Sequence, residues 1–327
     1  MSRAAVQPAE RALPEALAGF CRRGEPVAPR TYCKIGGVAR VFCEARSEEE
    51  VRAATVWRRE AALADDDVLV LGGGANVLIN DARDYGLVLS LSEHFARIEV
   101  DPEGGTARIE AGIRTPRLVR EAAARGWQGF QFLAGVPGTL GGAVVMNAGV
   151  KELSTWDVVR AAEGIAWDGG KRVVTREEAR PRYRHGGLPS GLVVTAAICE
   201  IRPGDPEEIH RQARRLSTSR RDTQPLTHPS WGSTFRNPSG ASSTGTTAGA
   251  LIERAGLKGY RVGDAQISEL HANFVVNLGA ATAADALACI RKAYEEVRDR
   301  FGVRLVPEVR LVGFPPRDLA FLEGEVA

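Results

Sequence analysis

The chain has 327 residues, 44% of them hydrophobic and 26% charged, enough for two or three globular domains with cores of their own. Its 43 lysines and arginines nearly balance 41 acidic side chains, leaving +2, so no overall field recommends nucleic acid or an anionic membrane surface as partner. No apolar run approaches the roughly 18 residues of a membrane-spanning helix, and the polar opening "MSRAAVQPAERALPEALAG" lacks the apolar stretch of a secretion signal. The five cysteines fall in no zinc-binding spacing and are odd in number, so reduced thiols in a cytoplasmic protein without a metal site are expected.

Along the chain, Ser47-Glu48-Glu49-Glu50 has the form of a capping box opening a helix to about Glu60, with Val51, Ala54 and Val56 apolar. Val68–Leu71 reads as a short buried strand that runs straight into Gly72, Gly73 and Gly74. Residues 87–91, 96–100 and 107–111 read as extended, the last two separated by the turn-forming "DPEGG". Thr115-Pro116 opens a helix as cap and first-turn proline, with Leu118, Val119 and Ala122 on one face and a stop at Gly126. Residues 157–201 again look like strands.

Asp205-Pro206-Glu207-Glu208 caps a further helix whose Ile209, Ala213 and Leu216 form the apolar stripe, with Arg211, Arg214 and Arg215 facing elsewhere, a solvated face explaining most of these basic residues and contact with a polyanion being the alternative. A small-residue loop, "SGASSTGTTAGA", precedes a helix ending at Gly256, a strand at 274–278, a long helix at 282–301 and a last strand at 309–312. The expected architecture is α+β with three domains, 1–85, 86–204 and 205–327, the last segment returning to the first domain.

Two glycine clusters carry the first chemistry. In "VLVLGGGANVL" (68–78), glycines after a buried strand let the backbone approach a ligand and present N–H groups to an anion; a tight strand exit explains the triplet equally well. The spacing is not the usual dinucleotide fingerprint, since Val77 stands where a third glycine belongs. In "LAGVPGTLGGAVVMNAG" (133–149) glycine recurs in a stretch too apolar for a surface loop. There Gly138, Thr139, Gly141 and Gly142 offer amides and a hydroxyl, and 143–146 offers an apolar wall for a flat ring. Together they suggest one large ligand held from both sides.

"LGGGAN" followed by "GVPGTLGGAVVMNAG" resembles the two flavin-binding segments of the vanillyl-alcohol-oxidase (PCMH-type) FAD fold. "YRHGG" (183–187), "TQPLTHPSWGSTFRNP" (223–238), "GLKGYRVGDAQISELHANFVVN" (256–277) and "PEVRLVG" (307–313) narrow the resemblance to UDP-N-acetylenolpyruvoylglucosamine reductases, the MurB family of peptidoglycan precursor synthesis. The short span from Tyr183 to Trp231 implies their type II. The resemblance implies that NADPH reduces FAD and leaves, and that the enolpyruvyl ether of the UDP-sugar then takes a hydride at its vinyl carbon and a proton at the adjacent carbon.

By motif, Ser233 matches the proton donor, Arg184 the arginine that stabilises the enolate-type intermediate, and Glu308 the catalytic glutamate. Such an intermediate requires a placed acid and cationic support for its oxygens. The resemblance implies FAD contacts from Gly72, Gly73, Gly74 and Asn76 on one side and Gly135, Pro137, Gly138, Thr139, Gly141 and Gly142 on the other. FAD is expected to be noncovalent, because neither segment holds a His or Cys. Tyr183, Arg236, Asn237, His271 and Asn273 are the substrate candidates, and no obligate protein partner is implied. Three departures stand out: a longer 239–247 link, no Gly-Gly-Glu after "NAG" at 147–149, and Gly186 where serine is common. A different FAD-linked alcohol or hydroxy-acid oxidoreductase and a noncatalytic nucleotide-sugar binder are the alternatives.

Overall fold

The computed structural model describes residues 13–91, 93–150, 153–238 and 246–322. The described chain forms two compact units that interleave in sequence: one from 1–25, 39–73 and 85–219, the other from 26–38, 74–84 and 220–327. The expected link at 239–247 lies, over 239–245, outside the described residues.

The first unit holds two sheets. In one, the strands Cys21–Pro26, Val38–Ala45, Asp84–Leu91 and Val68–Leu71 lie side by side in that order. Val68–Leu71 is parallel to its neighbour, Val68 opposite Leu87 and Leu71 opposite Ser90, so the glycine triplet leaves at the carboxyl end of a parallel pair. The other sheet runs Lys171–Thr175, Val159–Ala166, Leu192–Glu200, Thr106–Glu110, Ile98–Asp101, all antiparallel. Val41, Val51, Trp57 and Leu89 share one core of this unit; Ile109, Leu118, Phe130, Trp156 and Ala197 share the other.

The helix Glu48–Glu60 begins where its cap predicts, with Ser47 Oγ accepting from Glu50 N at 3.3 Å. The box is only half formed: the Glu50 carboxylate accepts instead from Arg46, at its backbone N and its guanidinium. Trp57, rather than Val56, completes the buried face. Thr115 departs from its expected capping role as well. Arg114 takes the cap position of Thr115–Ala124, and the Thr115 hydroxyl donates to Val136 O at 2.5 Å, tying this helix to the second glycine segment.

The second unit sets the antiparallel strands Arg261–Val262, Ala265–Ile267 and Val275–Asn277 against the helices Ala248–Arg254 and Ala283–Phe301. The long helix follows its sequence signals at both ends: Thr282 and Asp285 form a complete capping box, and Gly302 closes it in the left-handed region at φ 68°. Val77–Ile79 and Arg310–Val312 pair in parallel, bringing the strand after the glycine triplet beside the last strand. Among the described residues no helix is long and apolar enough to cross a membrane.

The cysteines depart from the reduced state expected of them. Cys21 and Cys43, on adjacent strands, form a disulfide, while Cys33, Cys199 and Cys289 are buried thiols. Burial pushes the Cys199 thiol up to about 12 and that of Cys289 up to about 11, so neither is a thiolate at neutral pH. The bridge closes a loop with a sequence separation of 22. Cys43→Ser is expected to destabilise the chain by about 3 kcal/mol by freeing the unfolded state, read as a Tm several degrees lower; an unchanged Tm contradicts this.

Candidate active site

The first unit brings the two glycine clusters against each other. A Cβ on Gly73 would lie 2.4 Å from Gly138 Cα, and one on Gly72 would lie 3.0 Å from Thr139 Oγ1. Two backbones approach this closely only where side chains are absent. Among the described residues, the N–H groups of Gly72 and Gly73 donate to no protein acceptor, which suits an anionic ligand such as the pyrophosphate of FAD.

The second segment is more structured than its glycines suggest. Leu140–Met146 is helical, with Thr139 as cap accepting from Gly142 N at 3.5 Å. Gly141 packs so tightly that its N–H reaches Ala111 O at 2.9 Å and a Cβ would meet Ala111 Cβ at 2.9 Å. Gly138, at φ 109°, is the turn that a side chain would strain. Gly135 ends a short 3-10 turn, and half-buried Pro137 links it to Gly138. Ala143 and Val144, expected along a wall for a flat ring, lie in the first unit's core. The missed signal is Thr139, a hydroxyl placed three residues before Gly142.

Arg184 is built onto the far end of this helix. Asn147 closes the helix in the left-handed region at φ 44° and donates from Nδ2 to Arg182 O at 3.0 Å. Gly186 N donates to Val145 O at 2.9 Å, and a Cβ there would lie 2.2 Å from Val144 O, so this position has no room for a side chain. Arg184 itself has φ 56°, with its guanidinium 4.7 Å from the centroid of the exposed Tyr183 ring. A non-glycine residue held in this region is a strained feature typical of functional loops. His185 accepts from Gly187 N at 3.1 Å, a local loop contact.

Ser233 sits in the second unit on a short irregular stretch. Gly232 turns the chain at φ 86°, and buried Trp231 donates from Nε1 to Thr234 Oγ1 at 3.2 Å. Thr234 and Phe235 are buried, while Ser233 remains partly accessible. Thr234 O accepts from Glu308 N at 2.8 Å, and Arg236 N donates to Val306 O at 2.8 Å, so the serine loop and the glutamate segment are one hydrogen-bonded block.

Several expected ligand residues hydrogen-bond within the second unit. Asn76 donates from Nδ2 to Glu308 O at 3.0 Å. Asn237 Oδ1 accepts from Ala248 N at 3.1 Å, at the start of the helix Ala248–Arg254. Asn273 is 4% exposed, and both ends of its amide engage Phe235. Gly74 also acts locally: at φ 66° it accepts from Tyr32 N at 2.9 Å, and a Cβ would meet Arg30 O at 2.3 Å. His271 accepts at Nδ1 from Asn273 N at 3.2 Å and rests on Phe274, ring centroids 4.8 Å apart. Burial lowers its pKa, so it is neutral at pH 7 with the proton on Nε2.

Residues 224–312 match the domain family described as "UDP-N-acetylenolpyruvoylglucosamine reductase, C-terminal domain", and residues 39–175 match an FAD-binding domain family. UDP-N-acetylenolpyruvoylglucosamine reductase of Anaeromyxobacter dehalogenans (strain 2CP-C) is 44% identical over 306 residues, covering 93% of this chain and 90% of that one. This chain belongs to the UDP-N-acetylenolpyruvoylglucosamine reductase family. The reductase of Myxococcus xanthus (strain DK1622) is 40% identical over 321 residues, covering 96% of this chain and 99% of its own. The crystal structure of the reductase (MurB) from Thermus caldophilus matches with a TM-score of 0.74 at 34% identity, over 90% of this chain and 100% of that one. The fold is therefore the α+β arrangement expected, an FAD-binding part followed by the reductase family's C-terminal domain.

Proposed function

We infer that this reductase converts UDP-N-acetylglucosamine enolpyruvate to UDP-N-acetylmuramate at the expense of NADPH, with Arg184, Ser233 and Glu308 as its catalytic residues. Bound FAD, once reduced by NADPH, would supply the hydride for the vinyl carbon. Ser233 Oγ gives its proton to the adjacent, carboxylate-bearing carbon. A serine hydroxyl is a feeble acid, so only a strongly basic, enolate-type carbon draws the proton from it. Arg184 suits the substrate carboxylate through its two-pronged guanidinium and stabilises the charge as it builds.

The observation that carries the reading is the bond from Glu308 N to Thr234 O, 2.8 Å, which joins the glutamate to the residue after Ser233. The Glu308 carboxylate then supports the serine proton. Backbone groups of Gly72, Gly73, Gly135, Pro137, Gly138, Thr139, Gly141 and Gly142 hold FAD noncovalently. Arg236 attends the substrate diphosphate, and neutral His271 offers its Nε2–H to the UDP-sugar. Asn76, Asn237 and Asn273 support the site from behind. The enzyme works in the cytoplasm on small molecules, without an obligate protein partner.

The test is NADPH oxidation by the purified yellow protein. It should depend on the enolpyruvyl UDP-sugar and give a product heavier by two hydrogens. Equal oxidation with no UDP-sugar, or turnover of simple alcohols instead, contradicts the reading.

A further inference from the structure

The stretch carrying Ser233 belongs to no sheet. Its isolated bridges are at its ends, Ser230 with Val276 and Phe235 with Pro307, and Thr234 O accepts from Glu308 N at 2.8 Å between them. Between those points Asn273 makes three bonds to the two residues that follow the serine. Its backbone O accepts from Thr234 N at 2.8 Å. Its side-chain Oδ1 accepts from Phe235 N at 3.0 Å, and its Nδ2 donates to Phe235 O at 2.8 Å. The carboxamide thus stands in for a peptide unit of a neighbouring strand, pairing one donor and one acceptor with both groups of Phe235. Asn273, Thr234 and Phe235 are 4%, 2% and 1% exposed, so water cannot replace these bonds. The next residue toward solvent is Ser233.

We propose that Asn273 is a positioning residue that fixes the Ser233 hydroxyl for proton transfer. This rests on the reading of Ser233 as proton donor. Only a carboxamide of this length answers both groups of Phe235: aspartate keeps the acceptor and loses the donor, and alanine loses both. His271 reinforces the clamp by accepting from Asn273 N. The expected consequence concerns the second half of the reaction, because Asn273 bonds to the two residues that follow the proposed proton donor.

The experiment follows both half-reactions of the holoenzyme anaerobically by stopped flow, in Ser233→Ala, Asn273→Ala and the double variant. Asn273→Ala should bleach with NADPH at close to the parent rate and be reoxidised by the enolpyruvyl UDP-sugar about 10²-fold more slowly, the usual cost of a misplaced reacting group. In the Ser233→Ala background the same substitution should cost less than about threefold, because a residue acting through Ser233 has nothing left to position. A full second loss in the double variant overturns the positioning role while leaving Ser233 as donor. If Ser233→Ala alone retains reoxidation, the donor reading fails and this proposal fails with it. Asn273→Asp carries the same comparison should Asn273→Ala not accumulate, and its expected loss is smaller.

Discussion

Replacing Ser233 by alanine is expected to leave flavin reduction by NADPH intact and to slow reoxidation by the enolpyruvyl UDP-sugar by about 10²- to 10⁴-fold, the usual worth of a placed general acid. At 1.36 kcal/mol per decade this corresponds to roughly 3–5 kcal/mol of transition-state stabilisation. The variant is informative because Ser233 is partly exposed, while the bonds that hold its loop belong to Thr234, Phe235 and Glu308. Truncating Oγ leaves those bonds in place, so Tm should move little. Ser233→Cys, which retains a proton donor, should recover part of the loss. Reoxidation of Ser233→Ala at the parent rate removes the serine from its role.

Gly73→Ala is expected to weaken FAD binding by about 10- to 100-fold, from about 1–3 kcal/mol of enforced overpacking. The added methyl would lie 2.4 Å from Gly138 Cα, 2.9 Å from Gly138 C and 3.1 Å from Thr139 N, all backbone atoms that cannot rotate aside. The two segments must part, and the ligand gripped between them loses contact on both sides. The purified variant should be pale, with a low flavin-to-protein ratio that rises only on adding excess FAD. Gly19→Ala is the control, since its nearest neighbour would be the end of the Arg46 side chain at 3.8 Å. Equal FAD affinity in Gly73→Ala and the parent contradicts the grip of apposed glycine segments.

The elements that were legible from sequence are those whose signals are local. Thr282, Asp285 and Gly302 announce both ends of the long helix, and Val68–Leu71 is an apolar run bounded by glycine. The glycine segments were legible because close backbone approach leaves a compositional trace.

What could not be read depends on partners distant in sequence. The Cys21–Cys43 bridge needs the side-by-side placement of two strands, which no spacing rule supplies. The helix at Leu140–Met146 has two glycines and two valines in seven residues, an unpromising composition that Thr139 and burial override. Asn76, Asn237 and Asn273 look alike in sequence whether their amides meet a ligand or a neighbouring backbone. Only the fold shows Asn76 on Glu308, Asn237 on Ala248 and Asn273 on Phe235. The same ambiguity governed Thr115, whose hydroxyl reaches Val136 rather than its own helix.

The most direct test of the account is a crystal structure of the protein with FAD and the enolpyruvyl UDP-sugar bound. The account predicts Ser233 Oγ within about 3.5 Å of the carbon bearing the carboxylate, the separation of a reaction-ready pair, with the Arg184 guanidinium on that carboxylate. A substrate bound with Ser233 Oγ turned away, and another acid at that carbon, would contradict it.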